Sequence, residues 1–171
     1  MFQVGEKVVY PNHGVAVIEN ISSRAFSGHA ERFYLLRLGT SPMTVMVPLS
    51  HAQDLRIRKV TRNAELNRVI EFLSRGACKA RADWKDRFKE NSEKMLEGAP
   101  MAVAEVLKSL LIQQTHKTLS FREKKMLDRA RHMLITEVSS VRGLREEQAA
   151  SILEQALTKA NLHLPESMYA L

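Results

Sequence analysis

Two different hydrophobic patterns divide the chain. Up to about residue 58, the apolar residues form short β-branched or aromatic runs separated by breaks rich in Gly, Pro, Asn and Ser. The runs are KVVY, VAVIENI, RFYLLRL and TVMVPL, and the breaks are PNHG, SGHA and GTSP. Such an alternation is typical of short strands joined by turns. It predicts a small antiparallel β barrel or a strongly bent sheet in this part of the chain.

Helical spacing replaces this pattern after residue 58. A first helix is predicted from apolar residues three or four positions apart, namely Leu66, Val69, Ile70 and Leu73. A second helical stretch continues to about Glu97, where Gly98 is expected to end it. Pro100 suits the first turn of a third helix, because proline lacks the amide proton that this turn cannot use. The apolar face of that helix contains Val103, Val106, Leu107, Leu110 and Leu111.

Two more helices are predicted in the last third of the chain. Ser120 followed by Glu123 is a capping-box pattern, and the helix that it opens should end or be interrupted at Gly143. The last helix is expected from Arg145 to about Ala160, followed by a loose tail containing Pro165. The predicted class is therefore α+β with two domains, an N-terminal β barrel at 1–59 and a compact all-α bundle at 60–161. Residues 162–171 are the predicted tail.

The composition and net charge of the chain indicate which kinds of binding partner and cellular compartment to expect. The 171 residues are 44% hydrophobic, as in a folded protein, and carry a formal net charge of +7. A basic chain favours a polyanion, either nucleic acid or an anionic membrane surface. Cys78 is the single cysteine, which excludes a disulfide within the chain and suits a reducing compartment. Charges at Glu6 and Lys7 do not fit a signal peptide, so we expect a soluble, cytoplasmic protein.

Candidate catalytic chemistry is sparse. The histidines at 13, 29, 51, 116, 132 and 163 are scattered, and none pairs with another at the helical spacing of a metal site. Walker, GxGxxG and GxSxG motifs do not occur. The neighbouring carboxylates near residues 83–93 lie beside Lys or Arg, which is typical of ion pairs on a solvated helix face. We therefore predict no enzyme activity, no cofactor, no metal and no small-molecule substrate.

Basic residues cluster on two of the predicted helices. The first cluster consists of Arg75, Lys79, Arg81, Lys85, Arg87 and Lys89. The second lies on the helix opened by Ser120 and consists of Arg122, Lys124, Lys125, Arg129 and Arg131. The two clusters could flank one another and bind phosphates, with Lys85, Lys125 and Arg129 among the candidate contacts.

Trp84 stands within the first basic cluster and has two interpretations. Its spacing from Phe88 and Met95 places all three on one helix face, which favours a core position. Its place in the first turn of the helix, beside Asp83, would instead allow the ring to overhang the bundle. An exposed ring could enter between bases. Burying ~200 Å² of indole returns about 5 kcal/mol, which only balances the few kcal/mol that unstacking a base step costs.

Four ordered motifs resemble one known family. The stretches VGEKVVYPNHGVAVIENI, TVMVP, DWKDRFKEN and LSFREKKMLDRAR resemble the CarD family of bacterial transcription regulators, in its CdnL-like branch, over about residues 1–160. The resemblance implies a Tudor-like barrel that binds the β subunit of RNA polymerase. It also implies a helical domain that contacts promoter DNA, without sequence specificity, at the upstream edge of the bubble. Members of the family stabilise the open complex and are not known as enzymes.

The resemblance also assigns candidate residues. By position, Trp84 matches the family's wedge tryptophan, and Arg87 and Lys89 match neighbouring residues that touch DNA. Arg24 matches a basic residue used against the polymerase. Met46 and Pro48 occupy a strand where some members place an arginine on the β subunit, so apolar packing is expected there.

Two alternatives remain open at this stage. On pattern alone, the strand from Thr44 to Pro48 could be interior, with Met46 in the core. The whole chain could also be a free-standing architectural or RNA-binding protein with a basic helical surface. No membrane partner is expected in either case.

Overall fold

The computed structural model describes residues 1–26, 28–39, 42–75 and 84–168. The side chains of Phe26, Trp84, Lys85 and Asp86 lie outside this description. Predictions for Cys78, Lys79, Arg81 and Asp83 also fall outside the described residues.

The N-terminal part forms an antiparallel sheet whose strands occur in the order β4-β3-β2-β1-β5. The strands are β1 Lys7–Tyr10, β2 Gly14–Phe26, β3 His29–Leu38, β4 Thr44–Pro48 and β5 Arg58–Lys59. The four predicted strands are confirmed, although the β2–β3 hairpin is longer than the sequence pattern predicted. A register shift between Ile18 and Asn20 places a bulge in β2.

The sheet is open in the described part of the chain. β4 and β5 form its two edges and do not pair with one another, so the antiparallel sheet is confirmed but a closed barrel is not. A small apolar core covers one face of the sheet and consists of Val8, Ala16, Ile18, Tyr34, Leu36, Val47, Ala52 and Ile57. Edge strands carry unpaired backbone groups, so an open sheet keeps two places where another chain can add.

The described part of the chain continues as five helices. They are α1 Asn63–Ser74, α2 Trp84–Glu97, α3 Pro100–His116, α4 Phe121–Arg142 and α5 Glu146–Thr158. The predicted signals act as expected: Gly98 follows α2 with φ +72°, and Gly143 ends α4 with φ +63°. Ser120 and Glu123 form the complete capping box at the start of α4. The α+β class is therefore confirmed.

The prediction of a loose tail is wrong for residues 162–168. Leu162 is buried, and Leu164 packs against the helical core. The Glu154 carboxylate accepts hydrogen bonds from the Leu164 amide at 2.5 Å, and it pairs with the His163 ring at 2.9 Å. Arg131 Nε donates to the Pro165 carbonyl at 2.6 Å. Apolar contacts and backbone hydrogen bonds to α4 and α5 therefore outweigh the polar composition of the segment.

Arg58 and Glu137 join the sheet to the helices. Arg58, on β5, donates from Nη1 and Nη2 to the two Glu137 carboxylate oxygens at 2.7 and 2.8 Å. It also donates to the Gly98 carbonyl, at 2.8 Å from Nη2. The Thr61 amide donates to the same carboxylate at 3.0 Å. The Arg58–Glu137 pair thus holds β5, the α2–α3 junction and the segment leading into α1 together.

The β1–β2 turn fits closely against the helices. A Cβ added at Gly14 would lie 3.1 Å from atoms of His132 and Thr136 on α4. One added at Gly98 would lie 2.9 Å from the Pro11 ring. Val9 also belongs to the helical core. Because the two parts share these contacts, the division at residues 58–62 stays a prediction.

Candidate nucleic-acid interface

Two described members of the first basic cluster, Arg87 and Lys89, lie on α2, which approaches the first half of α4. The Arg122 guanidinium carbon lies 4.5 Å from the centroid of the Phe88 ring, which joins the two helices by a cation–π contact. Arg87 on α2 lies near enough to Glu123 on α4 for its charge to affect that carboxyl. Residues separated by more than thirty positions in sequence therefore share one surface.

A groove of about 400 Å³ opens between α2, α4 and the β1–β2 turn. We call it the basic groove, and its lining residues are Asn12, Phe88, Ser92, Met95, Leu96, Arg122, Lys125, Met126 and Arg129. Its floor is apolar, since Met95 and Met126 are buried and Phe88 is half-buried. Its lining includes three cations and no carboxylate. An apolar floor beneath a positive rim suits a flat, anionic partner.

The start of α4 holds a buried, ionised carboxylate below this surface. Burial alone would raise the pKa of Glu123, but hydrogen bonds from Ser120 and Gln113, with the charge of Arg87, lower that pKa from its ordinary value. The Gln113 amide donates to Glu123 Oε2 at 2.6 Å, and the Ser120 amide donates to Oε1 at 3.1 Å. Glu123 therefore caps α4 and faces inward. Its negative charge interacts with the hydrogen-bond donors of the cap and with Arg87.

The positive charge of the groove extends to the β1–β2 turn. Partial burial, together with the charge of Arg129, lowers the pKa of His13 from its ordinary value. The turn carries Asn12 into the groove with φ +68°, in the left-handed region that asparagine tolerates better than most residues. The N-terminal part of the chain thus supplies one wall of a surface that the sequence assigned to the helices alone.

Phe121 is a surface residue that the sequence analysis missed. Its side chain is 64% exposed, and Lys125 Nζ lies 4.6 Å from its ring centroid. Leu96, at the groove, is 59% exposed. The sequence spacing could have indicated this exposure. Phe121 precedes Met126 by five positions, so it lies outside the apolar face of α4. The exposed aromatic and its lysine extend the surface toward the start of the helix.

The structure places the predicted DNA-contacting residues in different settings. Trp84 and Lys85 begin α2, but their side chains lie outside the described part. Arg87 is half-buried, and its buried Nε has no hydrogen-bond partner among the described residues. Lys89 is exposed on α2. Lys125 and Arg129 line the groove.

Two members of the predicted basic clusters are engaged elsewhere. Arg75 pairs with Glu71 one turn earlier on α1, at 2.6 Å. Arg131 holds the Pro165 carbonyl in the tail. These two side chains therefore have local structural roles.

The predicted polymerase-contacting residues lie on the sheet. Met46 is 36% exposed and stands on β4, so the alternative of an interior strand with Met46 in the core is wrong. Arg24 is exposed on β2 and is paired in register with Glu31 of β3, whereas Met46 is paired with Leu35. Those two β3 positions are about 13 Å apart at ~3.3 Å per residue, so one partner surface of ordinary size can reach both.

Other kinds of site find no support in the described residues. They contain no group of three or more His, Cys, Asp or Glu side chains placed to hold a metal ion. Nor does any of their helices combine the length and the apolar character needed to cross a bilayer.

Comparison with known proteins gives two family matches and a close relative. Residues 2–61 match the model described as CarD-like/TRCF RID domain, and residues 68–154 match that described as CarD, C-terminal domain. The chain is 36% identical over 151 residues to YdeB of Bacillus subtilis (strain 168), named as a candidate transcription factor. The alignment covers 88% of this chain and 99% of that protein. The resemblance indicated by the four sequence motifs is confirmed.

Proposed function

Since this chain belongs to the CarD family of transcription factors, we propose that it binds the β subunit of RNA polymerase and stabilises the promoter open complex. The sheet would hold the polymerase, and the surface formed by α2 and α4 would hold DNA at the upstream edge of the bubble. This surface would bind DNA without sequence specificity.

The exposed edge of the sheet supports the polymerase contact. The match of residues 2–61 to a domain type shared with TRCF favours a partner in the polymerase machinery. β4 is an edge strand, and an extended segment of a partner can add to such an edge by backbone hydrogen bonds. Exposed Met46 and neighbouring Pro48 would supply apolar packing, while Arg24 would supply charge at the far end of the hairpin.

The convergence of cations on the α2–α4 surface carries the DNA part of the proposal. Lys89 is exposed on α2, and Lys125 and Arg129 line the groove, so all three offer positive charge to phosphates. Lys125 also lies beside the exposed ring of Phe121. Non-specific binding through a few such contacts is weak, with Kd of about 10⁻⁴ to 10⁻⁶ M. Tethering to the polymerase would raise the effective DNA concentration to roughly millimolar, which makes weak contacts sufficient.

Trp84 is the proposed wedge at the edge of the bubble. It is the first residue of α2, one turn before Phe88, and so would stand at the end of the proposed DNA-binding surface. The free energy from burying an indole only balances the cost of unstacking one base step. The ring would therefore hold strands that the polymerase has already separated.

Polymerase–promoter complexes provide the test. Adding the protein should lengthen the lifetime of the open complex after competitor challenge, and footprinting should place it at the upstream edge of the bubble. The full chain should also retain a purified β-subunit fragment. Salt-sensitive binding to nucleic acid without any binding to the β fragment would reject the proposal and favour a free-standing architectural or RNA-binding protein.

A further inference from the structure

We propose that the basic groove takes up one unpaired nucleotide of a DNA strand, with the base on the apolar floor and the flanking phosphates on the cationic rim. This inference rests on the proposed function, because it requires separated strands near α2 and α4. It is separate from the wedge role of Trp84. The groove begins at Phe88, one turn further along α2, and its rim lies on α4.

The floor of the groove suits a planar base. Phe88, Met95 and Met126 supply an aromatic ring and two thioethers, which are polarisable and adapt to flat surfaces. The Arg122 guanidinium already lies over the Phe88 ring at 4.5 Å. Because unpaired bases stack on arginine groups as well as on aromatic rings, the base would lie against this pair. Stacking of this kind contributes about 1–3 kcal/mol per base.

The rim suits phosphate. Arg122, Lys125 and Arg129 follow one another at intervals of three and four residues, so they share one face of α4. They span about 10 Å of the helix at ~1.5 Å per residue, which lets them flank a base instead of gathering on one point. The nearby acids do not line the groove: Glu123 bonds with Ser120 and Gln113, and Asp128 accepts from the Met168 amide.

The size of the groove favours a nucleotide over a lone anion. A cavity of about 400 Å³ would leave most of its apolar floor in water if only a phosphate bound. A base fills that floor, and the Asn12 amide can donate to and accept from its exposed edge. In a duplex the same edge is paired and both faces are stacked, so only an unpaired nucleotide can enter.

Binding of the full chain to DNA without polymerase tests the inference. Fluorescence anisotropy would compare a labelled single strand with the same strand in a complete duplex, for the wild type and for Ser92→Phe. Ser92 lines the groove, and phenylalanine there fills it without altering any charge or Trp84. We expect the affinity for the single strand to fall about tenfold, which corresponds to about 1.4 kcal/mol. Affinity for the duplex should change less than twofold.

A second pair of variants, each of which removes one positive charge from α4, tests the inference without relying on Ser92→Phe. Arg129→Gln removes a rim cation, whereas Lys124→Gln removes an exposed cation of α4 that does not line the groove. Single-strand binding should weaken more for Arg129→Gln than for Lys124→Gln. Thermal unfolding of each variant checks that the fold is retained.

Three results would overturn the inference. One is a folded Ser92→Phe variant with unchanged single-strand affinity, and another is equal loss for single strand and duplex. The third is adenosine 5′-monophosphate binding more tightly than the single strand, which would assign the groove to a free nucleotide. These outcomes are distinct from failure of the proposed function, which the open-complex lifetime and the β-fragment binding report.

Discussion

Arg58 and Glu137 form a bidentate ion pair, with N–O distances of 2.7 and 2.8 Å. The pair joins β5 of the sheet to α4. The Glu137 side chain is 3% exposed and that of Arg58 is 25% exposed, so water screens the pair only partly. Both side chains make further hydrogen bonds to backbone groups of other elements. The pair therefore sets the orientation of the proposed polymerase-binding sheet relative to the proposed DNA-binding helices.

Replacing Glu137 with Gln should strongly destabilise the protein. Breaking a buried ion pair by changing one partner costs about 3–5 kcal/mol, and the partial exposure of Arg58 favours the lower end of that range. We expect the free energy of unfolding in urea to fall by about 3 kcal/mol. Glu97→Gln, at an exposed end of α2, is the matched control and should change it by less than about 0.5 kcal/mol. Equal stability of the two variants would contradict this role of Glu137.

Replacing Trp84 with Ala should shorten the lifetime of the open complex and leave binding to the β fragment unchanged. The reason is that the wedge acts only on separated strands, whereas the polymerase contact lies on the sheet. Competitor-challenge lifetimes and β-fragment affinities measure the two effects. Leu55→Ala, which removes an exposed apolar side chain outside the helices, is the control. An unchanged lifetime with a folded Trp84→Ala protein would reject the wedge.

Replacing Met46 with Glu should weaken binding of the β fragment about tenfold, or about 1.4 kcal/mol. The change puts an unpaired charge into a contact that is proposed to be apolar. Because Met46 is partly exposed on an edge strand, the fold should tolerate it. Met168→Glu makes the same change at an exposed position beyond α5 and should leave the affinity unaltered. Equal affinities for both variants would remove Met46 from the contact.

The His13 ring should titrate below the ordinary histidine pKa of about 6.5 when followed by NMR. Burial is the larger cause and the charge of Arg129 the smaller, so Arg129→Gln should raise the pKa of His13 without restoring it fully. The folded protein holds this ring neutral more readily than the unfolded chain does. Its contribution to stability is therefore fully present above the unfolded pKa of about 6.5, and it is lost as the pH falls from there through the lower pKa of the folded state. A pKa unaffected by Arg129→Gln would show that this charge does not reach the ring.

Local sequence signals were sufficient for most helices and strands. Gly98, Pro100 and the Ser120–Glu123 capping box each act through one turn of backbone, so their effect can be recognised from neighbouring residues. β5 could not be recognised in this way, because its two residues become a strand only by pairing with β1. The order of the tail likewise depends on Glu154 and Arg131, which belong to helices that precede it.

The candidate site was only partly predictable for the same reason. The residue types of the two basic clusters are visible in sequence, and so is the family resemblance. The contact of Phe88 with Arg122 depends on how closely α2 approaches α4, which the hydrophobic periodicity of either helix does not encode. Asn12 enters the groove from the first turn of the sheet, because the packing around Gly14 brings that turn onto α4.

Two structural constraints require glycine at position 98. Its left-handed backbone lets the chain leave α2, and its missing side chain admits the Pro11 ring. Any larger residue would force the Pro11 ring, and with it the β1–β2 turn, to shift. A substitution at Gly98 would therefore change the distance between the sheet that is proposed to bind polymerase and the helices that are proposed to bind DNA.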